Sequence, residues 1–187
     1  LGMKSPLLAI QLLWVNLVTD SLPAIAIGLE SPDKDIMNKK PRNSRKSIFA
    51  DGLWGKIIVE GVMLGMLTLV TFSIGNNLYG LEVGRTMAFV AIAMLELVHS
   101  FNVKSEESIF KVGLFENKYL IGAFILGAFL QIVVVMVPVF ANVFGLVPLT
   151  GTQWIYTLGI SILPLIIMEA QKKLNNVKVG KRAFSYN

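Results

Sequence analysis

Three oxygen-bearing side chains, Asn16, Thr19 and Asp20, stand close together in the otherwise apolar stretch WVNLVTDSLPAIAIG, residues 14–28. Their i, i+3, i+4 spacing places all three on one helix face. Pro23 follows. It has no N–H to give the carbonyl of Thr19, and its ring pushes that oxygen aside, so the backbone is expected to unwind where the oxygens cluster. An amide oxygen, a hydroxyl, a carboxylate and a freed carbonyl make half a cage for a hard cation. Ca²⁺ takes about six to eight oxygens in a flexible arrangement. The remainder must come from elsewhere, and Glu96, the other acidic residue deep in an apolar segment, is the candidate.

A carboxylate at the centre of a bilayer helix costs about 3 kcal/mol on insertion scales, so two of them call for a purpose. The surrounding chain is built for a bilayer. Of its 187 residues, 54% are hydrophobic and 16% charged, and the mean hydropathy is +0.65. Apolar windows long enough to cross a hydrocarbon layer, about 20 residues of helix, fall at 7–29, 57–75, 86–103, 119–141 and 152–170. The expected architecture is therefore all-α: a polytopic membrane bundle of five transmembrane helices forming one transport domain over residues 1–187. The first window is no cleavable signal peptide, because one basic residue precedes it and a carboxylate lies inside it. Asp20 lies thirteen residues from the outer end of its window and nine from the inner, about 20 and 14 Å by helical rise. Glu96 is seven residues from the cytosolic end of its own, about 10 Å. At those depths the two can meet.

The net charge of +5 raises the question of nucleic acid, and its placement answers it. Of seventeen Lys and Arg, seven fall within 30–56, three within 104–118 and five within 172–182. Nearly uncharged turns alternate with these segments, the pattern of the positive-inside rule. The basic excess reports topology, so no nucleic-acid partner is expected. By the same rule the first helix runs inward, residues 30–52 form a cytosolic loop and residues 171–187 a cytosolic tail. The absence of cysteine excludes disulfides and thiolate metal sites.

Other polar or small residues invite structural readings. Gly61 and Gly65 have the spacing that lets helix backbones approach. Glu60 lies four residues after Lys56, an interfacial pair. Gln11, His99, Ser100 and Gln131 are expected to be helix contacts, Glu169 to sit at the membrane edge, and Pro138 and Pro164 to kink their helices.

QLLWVNLVTDSLPAIAIGLESPDKDIM, from Gln11 to Met37, closely resembles the sixth transmembrane helix and following loop of P-type calcium-transporting ATPases of the sarco/endoplasmic-reticulum type. AMLELVHSFNVKSEESIF is similar to their eighth helix, and LTGTQWIYTLGISILPLIIMEAQKKL to their tenth. The likeness covers nearly the whole chain. It implies that Asn16, Thr19 and Asp20 ligate Ca²⁺, with Asp20 shared between two sites, and that Glu96 completes one of them. Sodium pumps of the superfamily resemble the chain less, having aspartate where Asn16 stands and usually glutamine where Glu96 stands. Ser21 replaces a glycine common in the calcium pumps.

The family's DKTGT, TGES and PEGLP motifs and its nucleotide domain are missing from this chain. The resemblance therefore implies a part of a larger pump, inactive by itself, whose ATP and Mg²⁺ bind in cytosolic domains outside it. Implied partners are the lipid bilayer and the remaining helices and cytosolic domains of the parent; the absence of cysteine and the short loops point to a bacterial plasma membrane. Two other classes fit the residues alone: a non-catalytic membrane scaffold, and a secondary cation/proton antiporter built on a broken helix. A DKTGT motif upstream in the gene would separate the pump from both.

Overall fold

A computed structural model of the chain describes residues 5–30, 37, 53–104, 108–109, 113 and 117–184. The expected cytosolic loop 30–52 therefore lies almost wholly outside the described residues. Among those described the chain is helical, with no strand.

The first span, Ala9–Gly28, contains helix α1 (Ala9–Trp14), a π-helical turn (Val15–Thr19) and α2 (Ser21–Gly28). Two long helices follow, α3 (Leu53–Tyr79) and α4 (Leu81–Val103). Then come α5 (Lys118–Met136), α6 (Pro138–Phe144), α7 (Gly151–Ser161) and α8 (Leu163–Phe184). Four segments are long and apolar enough to cross a membrane: Ala9–Gly28, Leu53–Tyr79, Lys118–Met136 and Gly151–Lys173. Each leaves most of its residues uncovered by protein, as helices facing lipid would.

The fifth expected span, 86–103, lies within α4, which is the centre of the bundle. Met87, Ala88, Phe89, Val90, Ala91, Ala93, Leu95 and Leu97 are all completely buried. Helices α3, α5, α7, α8 and the first span pack around it. A helix enclosed by others can carry polar groups that lipid would not accept, because they face protein rather than hydrocarbon. Here α4 carries Glu96, His99, Ser100 and Asn102.

Gly80 alone joins α3 to α4, with a positive φ of 95° that favours glycine. Beside this turn the two backbones nearly touch. A Cβ added to Gly75 would stand 2.7 Å from the Gly84 Cα, and one added to Gly84 would stand 2.7 Å from the Asn76 N. The close glycine contact inside the chain is thus Gly75 with Gly84. A Cβ at Gly61 or Gly65 meets nothing within 4 Å. If their small-residue spacing serves a helix beyond this chain, Gly61→Leu is expected to lower the yield of folded full-length protein. Normal yield and melting temperature would make those glycines incidental.

The proline kinks are where expected. The chain bends at Val137, before Pro138, and at Ile162, two residues before Pro164. At the first of these, α6 folds back far enough for the Phe144 ring to stack on Phe89 at 6.1 Å and to meet Trp14 edge-on at 5.3 Å. These rings, with Val15, Val90, Ala93, Val134 and Val135, form the larger apolar core.

Candidate cation site

The first span is tied down on both sides of its polar stretch. On the amino-terminal side, the Gln11 Nε2 donates to the Phe144 carbonyl at 3.0 Å, and the Trp14 Nε1 donates to the Gln131 Oε1 at 3.0 Å. Gln131 in turn donates to the Phe89 carbonyl at 3.4 Å. On the carboxy-terminal side, Asn117 caps α5 and donates to the Ala26 carbonyl at 3.1 Å. Gln11 and Gln131 are thus the helix contacts expected of them.

Between these anchors the backbone does not unwind. It widens into one π turn, in which the Asp20 N–H donates to the Val15 carbonyl at 3.0 Å, five residues back, and regular helix resumes at Ser21. The sequence-based expectation of a broken helix is corrected here: the π turn takes up the irregularity ahead of buried Pro23 while keeping an intrahelical hydrogen bond. Such single turns recur at functional sites.

The same turn divides the three polar residues. Thr19 is completely buried and its hydroxyl donates to the Val15 carbonyl at 2.8 Å, whereas Asn16 and Asp20 are exposed in this chain. Asn16 and Asp20 are open on the side where Thr19 is covered by protein.

Glu96 arrives from α4, half-buried. Its carboxyl group lies near both Asp20 and Thr19, close enough to interact with them electrostatically. Its Oε2 is buried and has no hydrogen-bond partner among the described residues. Nor does any cationic side chain pair with Asp20 or Glu96 there. Two carboxylates from different helices thus lie close together, one of them with a buried oxygen that no described residue bonds. Among the described residues no third His, Cys, Asp or Glu joins them.

Residues 4–174 match the family model described as the carboxy-terminal region of cation transporting ATPases. The chain belongs to the cation-transporting ATPases. It is 39% identical over 190 aligned residues to a protein named calcium-transporting ATPase 1 of Bacillus cereus, covering 92% of this chain and 21% of the relative. It is 37% identical to the calcium-transporting ATPase of Bacillus subtilis, covering 90% and 19%, and 33% identical to one of Listeria monocytogenes, covering 92% and 20%. The chain thus spans about a fifth of the length of these relatives.

Within this ATPase region a second polar cluster escaped the sequence reading. Glu60 was expected to pair with Lys56 along α3; instead its Oε2 lies 3.2 Å from the His99 Nε2 on α4. Glu60 is buried because its side of α3 faces α4, where His99 is also buried. On the same end of the ATPase bundle the Lys172 Nζ donates to the Asn102 carbonyl at 3.1 Å, and Glu169 accepts from the Ser108 Oγ at 2.5 Å and the Ile109 N–H at 3.0 Å. The Lys104 Nζ lies 3.0 Å from the Glu30 Oε1. His99 is a polar position on α4 near Glu96 and Ser100, but nothing along α3 points Glu60 toward it, since α3 is apolar nearly all the way round.

Proposed function

We propose that this region contributes part of the mid-membrane cation cage of an ATP-driven calcium pump, with Ca²⁺ as the transported substrate. The observation that carries the reading is the convergence of Asp20 and Glu96 beside a π turn, with the Glu96 Oε2 orphaned. Asp20, Asn16, Thr19 and Glu96 offer carboxylate, amide and hydroxyl oxygens, the donor set a hard cation of flexible coordination takes. The names of the relatives support Ca²⁺ as that cation. Exposed Asn16 and Asp20 at membrane depth would be costly against lipid. They are covered, in this reading, by further helices of the parent that bring the missing ligands.

ATP and Mg²⁺ act in cytosolic domains of that parent, and this region alone is inactive. Cation binding here is read out there as phosphorylation. The protein resides in the bacterial plasma membrane with its carboxy-terminus in the cytosol, as the distribution of Lys and Arg supports.

The test uses the full-length pump. Glu96→Gln keeps the shape and removes the charge, so the Ca²⁺ concentration for half-maximal phosphorylation by ATP should rise without loss of phosphorylation from inorganic phosphate. The rise should be smaller than the defect at Asp20, because Glu96 serves at the edge from a separate helix. An unchanged Ca²⁺ dependence would remove Glu96 from the cage.

A further inference from the structure

The Glu60–His99 pair has no part in the cage, yet it sits one helical turn from Glu96. Both side chains are buried, at 9% and 8% exposure. Among the described residues their mutual hydrogen bond is the one each makes, since the Glu60 Oε1 and the His99 Nδ1 are buried without partners. Leaving two polar atoms unsatisfied is a cost that two packed leucines would not carry. A pair kept in spite of that cost is explained by what its direction fixes rather than by stability.

What it fixes follows from the layout of α3 and α4. At the Gly80 turn the two helices are held by the glycine contact of Gly75 with Gly84. At the opposite end, Glu60 on α3 is bonded to His99 on α4. His99 and Glu96 are three residues apart, on neighbouring turns of one face. Any rotation or slide of α4 that breaks the Glu60 contact therefore moves Glu96 by a similar amount. Asp20 is held independently, through the anchors at Gln11, Trp14 and Ala26.

We propose that Glu60 and His99 are positioning residues for the cation site: their bond sets the height and rotation of α4 so that the Glu96 carboxylate meets Asp20. This rests on the proposed cation-ligand role of Asp20 and Glu96. The pair touches no cation itself. Metal sites are sensitive to such outer partners, whose loss lowers metal affinity by about ten-fold or more.

The experiment compares Glu60→Leu/His99→Leu, Glu60→Gln and Asp20→Asn in the full-length pump. The double leucine variant replaces the pair by apolar packing without a directional bond. It should accumulate and be phosphorylated from inorganic phosphate normally, while its half-maximal Ca²⁺ concentration rises about ten-fold. Glu60→Gln still offers His99 an acceptor and should retain most of the affinity. Wild-type Ca²⁺ dependence in the double variant overturns the proposal; so does equal impairment of Glu60→Gln, which would assign the pair a role needing charge. Should the double variant fail to accumulate, His99→Gln, which still donates to Glu60, is set against His99→Val, which cannot, and equal affinities overturn it. If Asp20→Asn binds Ca²⁺ like wild type, the cation-site reading has failed; if Asp20→Asn is defective and the pair variants are not, only the positioning role has.

Discussion

Asp20→Asn in the full-length pump is expected to abolish Ca²⁺-dependent phosphorylation by ATP while leaving phosphorylation from inorganic phosphate intact. Asparagine keeps the volume and one oxygen acceptor but loses the charge and the capacity to bind a cation through two equivalent oxygens. The loss should be near-complete because Asp20 stands where the two helices bring their carboxylates together, at the end of the π turn. A scaffold role predicts the opposite sign: a neutral amide is cheaper to place in the membrane than a charge, by about 2 to 3 kcal/mol on insertion scales, so the variant would be harmless or slightly stabilising. Radiolabelled Ca²⁺ bound at equilibrium to wild type and variant decides between them. Equal binding would refute the ligand role.

Gly84→Leu is expected to have the largest effect on folding. The nearest atoms to a Cβ at Gly84 are the Asn76 N at 2.7 Å and the Asn76 Cα at 3.0 Å, and backbone inside a helix cannot move aside as a flexible side chain can. Overpacking of this kind costs about 3 kcal/mol or more where the clash is with backbone. The single-residue turn at Gly80 leaves no slack to spread the helices. Because α4 is the buried centre, the damage reaches every helix packed on it, and folded protein recovered in detergent should fall sharply. Gly122→Leu, where a Cβ meets nothing within 4 Å, serves as the control and should be recovered normally. Equal recovery of the two variants would show that the α3–α4 contact is looser than the structure has it.

The residues proposed for the site stood out in the sequence because their signal is local. A carboxylate in an apolar window is conspicuous wherever the chain goes, and helical rise alone puts Asp20 and Glu96 at compatible depths. The segments that cross the membrane, and the helical class, were legible for the same reason: length and hydropathy need no partner. The kinks at Val137 and Ile162 followed from Pro138 and Pro164, whose ring and missing N–H act on their own backbone.

Only the tertiary structure decided which faces meet. Helices α3 and α5 are apolar nearly all the way round, so no stripe in the sequence indicates the side that packs inward. That is why Glu60 was assigned to Lys56 on its own helix, although its partner is His99, 39 residues away. It is also why Gly75 and Gly84, rather than Gly61 and Gly65, make the close contact within the chain. The π turn belongs here too. Pro23 announces an irregularity, but whether the helix opens or widens depends on the anchors around it, from Gln131 and Phe144 on one side to Asn117 on the other. Those anchors hold the span as a helix, and the widened turn buries Thr19 while leaving Asp20 exposed, both beside Glu96. Spacing along one chain specifies a face only while the helical repeat is regular, and here the repeat changes at the site itself.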